Sequence, residues 1–125
     1  MRNFDDLVHS FMKFPGVGRR QAQRFVYFLL RKGSSHSQAL ANELNHLHTN
    51  VRQCSESFQF FYSDDPSETR SPIARDPSRD RAIIMIVEKD TDIDAIEKSG
   101  VYQGTYFVLG GLVSALNEKI RRAHV

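Results

Sequence analysis

The stretch FPGVGRRQAQRF, residues 14–25, decides the fold of the amino-terminal half of the chain. Pro15 and two glycines spaced by one residue interrupt two segments in which apolar residues recur at helical spacing. The apolar stripe before the turn comprises Phe4, Leu7, Val8, Phe11 and Met12, and the stripe after it comprises Ala22, Phe25, Val26 and Leu29. The sequence therefore predicts two amphipathic helices joined by a tight turn, the second of which ends at Gly33.

A third helical pattern follows and completes a predicted amino-terminal bundle. Three leucines and a valine recur along residues 37–52 at the spacing of one helical face. We therefore predict a helix-hairpin-helix bundle over residues 1–53.

The predicted turn places positive charge at the start of the second helix. The first N–H groups of a helix have no intrahelical partner and carry the positive end of its dipole, so a phosphate group can bind there. Arg20 and Arg24 lie four residues apart and therefore share one face of the helix. Such contacts hold a sugar-phosphate backbone without reading bases. The predicted DNA-binding residues are Gly16, Val17, Gly18, Arg19, Arg20 and Arg24. The alternative is a plain helical hairpin whose arginines are only solvated.

Composition and charge set limits on the function. With 125 residues, the chain has room for one compact domain or two very small ones. Residues 1–60 carry eight Lys and Arg against four Asp and Glu, whereas residues 61–125 carry nine against eleven, so the amino-terminal half suits polyanions better. The lone Cys54 excludes an intramolecular disulfide, and the first residues lack the apolar core of a signal peptide. The longest strongly apolar run, residues 82–87, is too short to cross a bilayer. We therefore expect a cytoplasmic protein with no membrane role.

The second half of the chain changes character twice. Residues 54–80 are rich in proline, serine and aspartate, which favours an irregular linker or a small irregular module. The run AIIMIV at 82–87 predicts a buried parallel strand. A short helix from Asp92 to Gly100, a second strand within TYFVLGG at 105–111 and a last helix from Leu112 are expected to follow. The expected fold is mixed α+β, with a βαβ unit in residues 81–125.

Three segments resemble, in order along the chain, the RecR family of bacterial recombination mediators. These segments are FPGVGRRQAQRFVYFLL, RSPIARDPSRDR and IVEKDTDIDAIEKSGVYQGTYFVLGG. The resemblance implies a helix-hairpin-helix that binds DNA, a four-cysteine zinc finger, and a Toprim domain that engages the partners RecO and RecF. It also implies a ring-shaped or clamp-like homo-oligomer that helps to load recombinase onto gapped DNA, and it implies no enzymatic activity.

The resemblance carries the hairpin over but not the zinc finger. Arg20 stands where the family usually has a lysine, and Arg24 matches an arginine one helical turn later, so positive charge is kept at both positions. The zinc-ligand positions of the family fall on Cys54, Ser57, Ser71 and Ala74. Because one thiolate cannot hold a structural zinc ion, which needs four ligands, we expect no metal and no cofactor. Residues 54–80 are thus expected to form a degenerate zinc-finger-like segment.

The resemblance also bears on the acidic residues after the predicted strand. Glu88 matches the glutamate with which Toprim enzymes bind Mg²⁺, but the later Asp-x-Asp pair of those enzymes has no counterpart. Asp92 is predicted to be the N-cap of the following helix. We therefore predict no catalytic residue, and a partner-binding surface that comprises Glu88, Asp92, Tyr102 and Tyr106. A Mg²⁺-dependent nuclease or primase is the enzymatic alternative.

The likeness ends near Leu116, whereas the Toprim sheet of the family continues. Residues 81–125 are therefore expected to form a partial, truncated Toprim unit, and the loss of the family's ring is an open alternative. The leading hypothesis is a non-enzymatic mediator of DNA recombination and repair that binds single-stranded or gapped DNA and a RecO- or RecF-like partner. The alternative is a partner-binding regulator, or a decayed fragment, that no longer loads on DNA.

Overall fold

The computed structural model describes residues 2–123 of the chain, and side chains from residue 4 onward. The chain divides into two compact units between His46 and Leu47. This boundary lies inside the third helix, whereas the sequence predicted three regions with boundaries at 53 and 80. The outermost positions of those regions, residue 1 and residues 124–125, lie outside the described residues.

The first unit has the predicted pair of helices around a tight turn. Helix α1 spans Arg2–Met12 and helix α2 spans Arg19–Lys32. Their facing sides form a core of Val8, Ala22 and Val26, against which Phe4, Phe11, Met12 and Val17 pack. The apolar stripes read from the sequence are therefore the stripes that bury this core. The sequence-based helix-hairpin-helix is confirmed.

Helix α3 spans Ser34–Asn50, so it begins three residues before the predicted start. None of its residues, all of which the structure describes, is buried. The leucines that suggested a core-facing stripe, Leu40, Leu44 and Leu47, are 37%, 53% and 51% exposed. The periodicity predicted the helix correctly, but the predicted stripe does not form part of the core.

The second unit begins with a short antiparallel hairpin. Strand β1, Val51–Gln53, pairs with strand β2, Phe60–Tyr62. A four-residue helix, α4, follows at Pro72–Arg75, and the rest of the segment 54–80 is made of turns, as its composition suggested. This segment contributes buried side chains to the unit and does not act as a separate linker, because Cys54, Phe61 and Ala74 form a small core of their own.

The remainder of the second unit has the predicted strand–helix–strand order. Strand β3 spans Asp80–Val87, helix α5 Asp90–Ser99, strand β4 Gly104–Val108 and helix α6 Leu109–Ala123. The two strands pair in parallel, with Met85 opposite Tyr106 and Val87 opposite Val108. The core on the α5 side comprises Val87, Ile93, Tyr106 and Val108. The mixed α+β fold is confirmed, whereas the likeness of this unit to a Toprim domain stays a prediction.

The structure corrects one prediction about β3. The run AIIMIV was expected to be buried, but Ile84 is 62% exposed and Ile86 is 65% exposed. The reason is the small size of the sheet. The sheet has two strands, one face of which lies against α5, and on the opposite face the Phe58 ring contacts Phe107 of β4, with centroids 5.4 Å apart. No helix in the described residues is long and apolar enough to cross a membrane.

Candidate nucleic-acid interface

The turn between α1 and α2 presents free backbone donors to solvent. Gly16 has a φ of +75°, which a residue with a side chain adopts only with strain. Gly18 is the N-cap of α2, and its carbonyl accepts the first helical hydrogen bond, from the Ala22 N–H at 2.9 Å. Because glycine has no side chain to cap the helix, the preceding N–H groups of the first turn are left for an external acceptor. Val17, between the glycines, packs its side chain against the core of the unit.

The arginines of this turn differ in how they are paired. Arg19 has its Nη2 3.9 Å from Asp5 Oδ1 of α1, and both side chains are about half exposed. Within residues 4–123 no carboxylate forms an ion pair with Arg20 or Arg24, and both side chains are exposed. Arg20 and Arg24 therefore carry the uncompensated charge beside the open end of α2, while part of the charge of Arg19 is offset by Asp5.

Comparison with known proteins gives this hairpin a family. Residues 4–48 match the family model described as "RecR, helix-hairpin-helix". The chain is 43% identical over 112 residues to the recombination protein RecR of Desulforapulum autotrophicum, in an alignment that covers 90% of this chain and 54% of that protein. This chain is a relative of RecR. The same name belongs to similar proteins of Syntrophobacter fumaroxidans, 35% identical over 90% of this chain and 54% of theirs, and of Rubrobacter xylanophilus, 34% identical over 93% and 56%.

The chain spans about half the length of the curated RecR proteins it matches. The likeness extends from the hairpin through most of the second unit, because the aligned share of this chain is about nine-tenths. The predicted resemblance to RecR is confirmed. The activities and partners of whole RecR proteins are taken up below as proposals for this chain.

The four positions that the sequence comparison predicted to match zinc ligands of the RecR family lie together in one buried place. Cys54 and Ser71 are almost wholly buried, and Ser57 and Ala74 are nearly so. The residues do not suit zinc, because only Cys54 offers a thiolate and Ala74 offers no donor at all. Among the described residues, no group of three or more His, Cys, Asp or Glu is placed to hold a metal ion.

Hydrogen bonds occupy the polar atoms at these positions. The Ser57 N–H donates to Cys54 Sγ at 3.4 Å, and the Ala74 N–H donates to Ser71 Oγ at 3.2 Å. Burial raises the pKa of the Cys54 thiol, but hydrogen bonds from Ser57, together with backbone N–H groups of Ser57, Ser71 and Glu56, lower that pKa below its ordinary value of 9.0. The two turns thus place hydrogen-bond donors around the Cys54 sulfur.

The predicted partner-binding residues differ in exposure, and the two acidic ones lie where β3 is followed by α5. Glu88 is exposed at the end of β3, and Asp92 is half-buried in the first turn of α5. The structure corrects the predicted cap. Lys89 occupies the N-cap position, while Asp92 lies three residues later and accepts the Lys89 N–H at 3.0 Å through its Oδ2. Glu88 is therefore the exposed carboxylate of the two, whereas the Asp92 carboxylate caps α5.

The two tyrosines serve the core of the second unit. Tyr102 is half-buried and its hydroxyl donates to the Thr105 carbonyl at 2.6 Å. Tyr106 is only 4% exposed, which does not suit the predicted direct contact with a partner. Side chains alternate between the two faces of β4, so the Tyr106 ring lies on the α5 side together with Gly104 and Val108. The sequence GTYFV, read at every second residue, predicts that Tyr106 lies on this side.

Sequence reasoning missed the charged group that anchors Tyr106. Arg79 forms two hydrogen bonds with Glu97 of α5, Nη2 to Oε1 at 2.5 Å and Nη1 to Oε2 at 3.1 Å. The Tyr106 hydroxyl donates to the same carboxylate at 2.5 Å. Burial and this hydrogen bond to Glu97 raise the pKa of Tyr106 well above its ordinary value of 10.0. Glu97 and Tyr106 lie 18 and 27 positions after Arg79 in the sequence, so no local pattern joins the three residues.

Proposed function

We propose that this chain is a non-enzymatic DNA-binding mediator of recombination and repair, which binds the backbone of single-stranded or gapped DNA through the hairpin Gly16–Arg24. The observation that carries this proposal is the pair of unneutralised arginines, Arg20 and Arg24, beside a helix end that Gly18 leaves uncapped. Phosphate oxygens fit both features, since they accept hydrogen bonds from free N–H groups and attract cations. The RecR helix-hairpin-helix match over residues 4–48 supports the same assignment.

The proposal extends to the second unit. A RecO- or RecF-like partner would contact the exposed carboxylate of Glu88 and the half-buried Asp92 beside it, and Tyr106 would support this surface from within the core. The segment around Cys54 would fold without zinc, and the protein would act in the cytoplasm, where DNA and a reduced thiol are both found. Glu88 would have no catalytic role. Assembly of several copies into a ring, as the family implies, is compatible with the proposal but is not needed for the contact between hairpin and DNA.

The experiment that tests the DNA contact is an anisotropy titration of labelled single-stranded and gapped DNA at several salt concentrations. Wild type is compared with Arg20→Ala/Arg24→Ala and with a matched control, Arg121→Ala/Arg122→Ala. The control also removes two arginines, but from α6, where both pair with Glu118. Each lost phosphate contact lowers the slope of log affinity against log salt by about 0.7 on single strands and about 0.9 on duplex. We therefore expect the hairpin variant to lose about 1.4 of slope on a single strand, and the control to keep it.

A second arm of the experiment separates the mediator from a partner-binding regulator. Purified RecO and RecF are titrated with wild type, with the hairpin variant and with Glu88→Gln/Asp92→Asn. A mediator binds DNA and a partner, and its two activities are lost in different variants. If wild type and the hairpin variant bind a partner equally but neither binds DNA, the regulator is the correct function. Binding of DNA with no dependence on Arg20 and Arg24 would refute the role given to the hairpin.

A further inference from the structure

The solvent-facing side of α2 contains aromatic side chains where polar residues are expected. Helical geometry places residues 20, 24, 27, 28 and 31 on the side opposite the buried Ala22 and Val26. Two of them are large aromatics, since Tyr27 and Phe28 are each 49% exposed. Neither ring is needed to fill the core of the unit, which the opposite face of α2 supplies. The exposure of two neighbouring rings therefore calls for an explanation of its own.

These rings line a groove with positively charged edges. The groove has a volume of about 670 Å³ and is lined by Gln21, Arg24, Phe25, Tyr27, Phe28 and Arg31. Lys32 adds a further cation, with its Nζ 5.7 Å from the centroid of the Phe28 ring. Within the described residues, no carboxylate forms an ion pair with Arg24, Arg31 or Lys32. An occupant with negative charge along its edge and flat apolar faces would match this lining.

We propose that this groove, which we call the α2 groove, binds unpaired bases of single-stranded DNA by stacking on Tyr27 and Phe28. The inference rests on the proposed DNA-binding function and adds to it a preference for single strands. Arg20 lies at the amino end of the same face and Arg31 about 16 Å further along it, so a strand held at the hairpin continues over the rings. Stacking on aromatic side chains with cations along the backbone is how proteins bind single strands without reading sequence. A duplex cannot supply such contacts, because its bases are already stacked and paired.

The neighbours of the two rings set their orientation. Tyr27 packs against Phe4 of α1 with ring centroids 5.4 Å apart, and Phe28 packs against His36 with centroids 5.7 Å apart at an angle of 84°. The edge-on contact of His36 and the tilted contact of Phe4 hold the rings while half of each side chain remains in solvent. The platform is therefore fixed before a base arrives, which lowers the entropy cost of binding.

The test compares three labelled probes: two single strands that have the same phosphates but differ in having bases, and a duplex, which carries a second strand of phosphates. They are an oligothymidylate, an abasic strand of the same length and a duplex of that length. We expect wild type to bind the oligothymidylate about 5- to 150-fold more tightly than the abasic strand, the range for one stacked base. Tyr27→Ala/Phe28→Ala should abolish this preference and leave the salt slope unchanged. Tyr27→Leu/Phe28→Leu keeps the apolar bulk without the ring faces, so it should behave in the same way if the alanine variant unfolds. The matched control is Leu30→Ala, which removes an exposed apolar side chain outside the α2 groove.

Two outcomes would overturn the inference while leaving the hairpin proposal intact. In the first, wild type binds all three probes through Arg20 and Arg24 but does not distinguish the oligothymidylate from the abasic strand. In the second, the aromatic variants keep the preference and instead lose self-association in sedimentation velocity, which would make the α2 groove a contact between copies of the chain. Failure of wild type to bind any probe would refute both the hairpin proposal and this inference.

Discussion

Replacing Glu97 by glutamine tests whether the charged group around Tyr106 holds the second unit together. The carboxylate accepts two hydrogen bonds from Arg79 and one from the Tyr106 hydroxyl. The Arg79 side chain is only 13% exposed and that of Glu97 27%, so solvent screens the pair weakly. Glutamine keeps the shape but presents an N–H group to the guanidinium and leaves its charge without a carboxylate at hydrogen-bonding distance. A hydrogen bond to a charged group contributes about 1.5–3 kcal/mol, and we expect Glu97→Gln to lower the free energy of unfolding by about this amount at pH 7.

The pH dependence of the effect has a definite sign. The hydrogen bonds from Arg79 hold the pKa of Glu97 below its ordinary value of 4.5. A carboxylate whose pKa is depressed in the folded state stabilises the fold above its unfolded pKa, and this contribution is lost as the pH falls through the folded value. The difference in stability between wild type and Glu97→Gln should therefore be full at pH 7 and shrink below about pH 4.5.

Hydrogen exchange of the β4 amides measures the stability of the second unit separately from that of the first. The Val108 N–H, which donates to the Ser57 carbonyl at 2.8 Å, is a suitable reporter. The matched control is Glu118→Gln, because Glu118 pairs with Arg121 and Arg122 on the exposed side of α6 and such pairs contribute about 0–1 kcal/mol. The reasoning is refuted if the β4 amides exchange no faster in Glu97→Gln than in Glu118→Gln. It is also refuted if the effect of Glu97→Gln on exchange is the same at low pH as at pH 7.

Two further predictions concern the contacts of the second unit. Gly111→Ala should destabilise the second unit by about 1–3 kcal/mol or more, because an added Cβ would lie 2.1 Å from the Phe58 carbonyl oxygen. The control Ser114→Ala, on the exposed side of α6, should change the stability little. Equal stabilities of the two variants in urea unfolding would contradict this close approach. Chelators should leave the melting temperature of the wild type unchanged. The triple variant Ser57→Cys/Ser71→Cys/Ala74→Cys should create a site that binds zinc in stoichiometric amount. A melting temperature that falls when chelator is added to wild type would show that a metal stabilises this segment.

Local features of the sequence predicted the first unit well. The stripes of α1 and α2 can be read from the spacing of apolar residues along each helix. The turn between the helices contains a glycine with positive φ. Both helices and their contact therefore follow from short-range information. The same reasoning failed for the leucines of α3 and for Ile84 and Ile86 of β3. Periodicity shows which residues share a face, but it does not show whether another element covers that face. Burial is a property of the partner as much as of the pattern.

The least predictable part of the candidate site is the interior of the second unit. The role of Tyr106 depends on Arg79 and Glu97, and the need for Gly111 depends on Phe58, more than fifty positions away. These contacts join segments that are distant in sequence, so no motif announces them. By contrast, the exposure of Tyr27 and Phe28 was present in the sequence as aromatics at positions 27 and 28 on the face opposite to Ala22. A helical wheel of α2 would have found it.

The segment around Cys54 is closely packed although its residues do not suit a zinc ion. Zinc in such turns normally supplies much of the folding free energy. Here the Cys54 N–H donates to the Gln59 carbonyl at 2.7 Å and the Ser55 N–H to the Thr69 carbonyl at 2.8 Å. Gln53 then ties the turn to α6, with its Nε2 2.7 Å from the Gly111 carbonyl oxygen. A net gain of about 0.5–1.5 kcal/mol for each such hydrogen bond, added to the buried Phe61 and Ala74, stabilises the segment, and β4 and α6 pack beside the turn. We therefore expect the folding of this segment without zinc, as proposed above, to depend on its close packing against the βαβ unit.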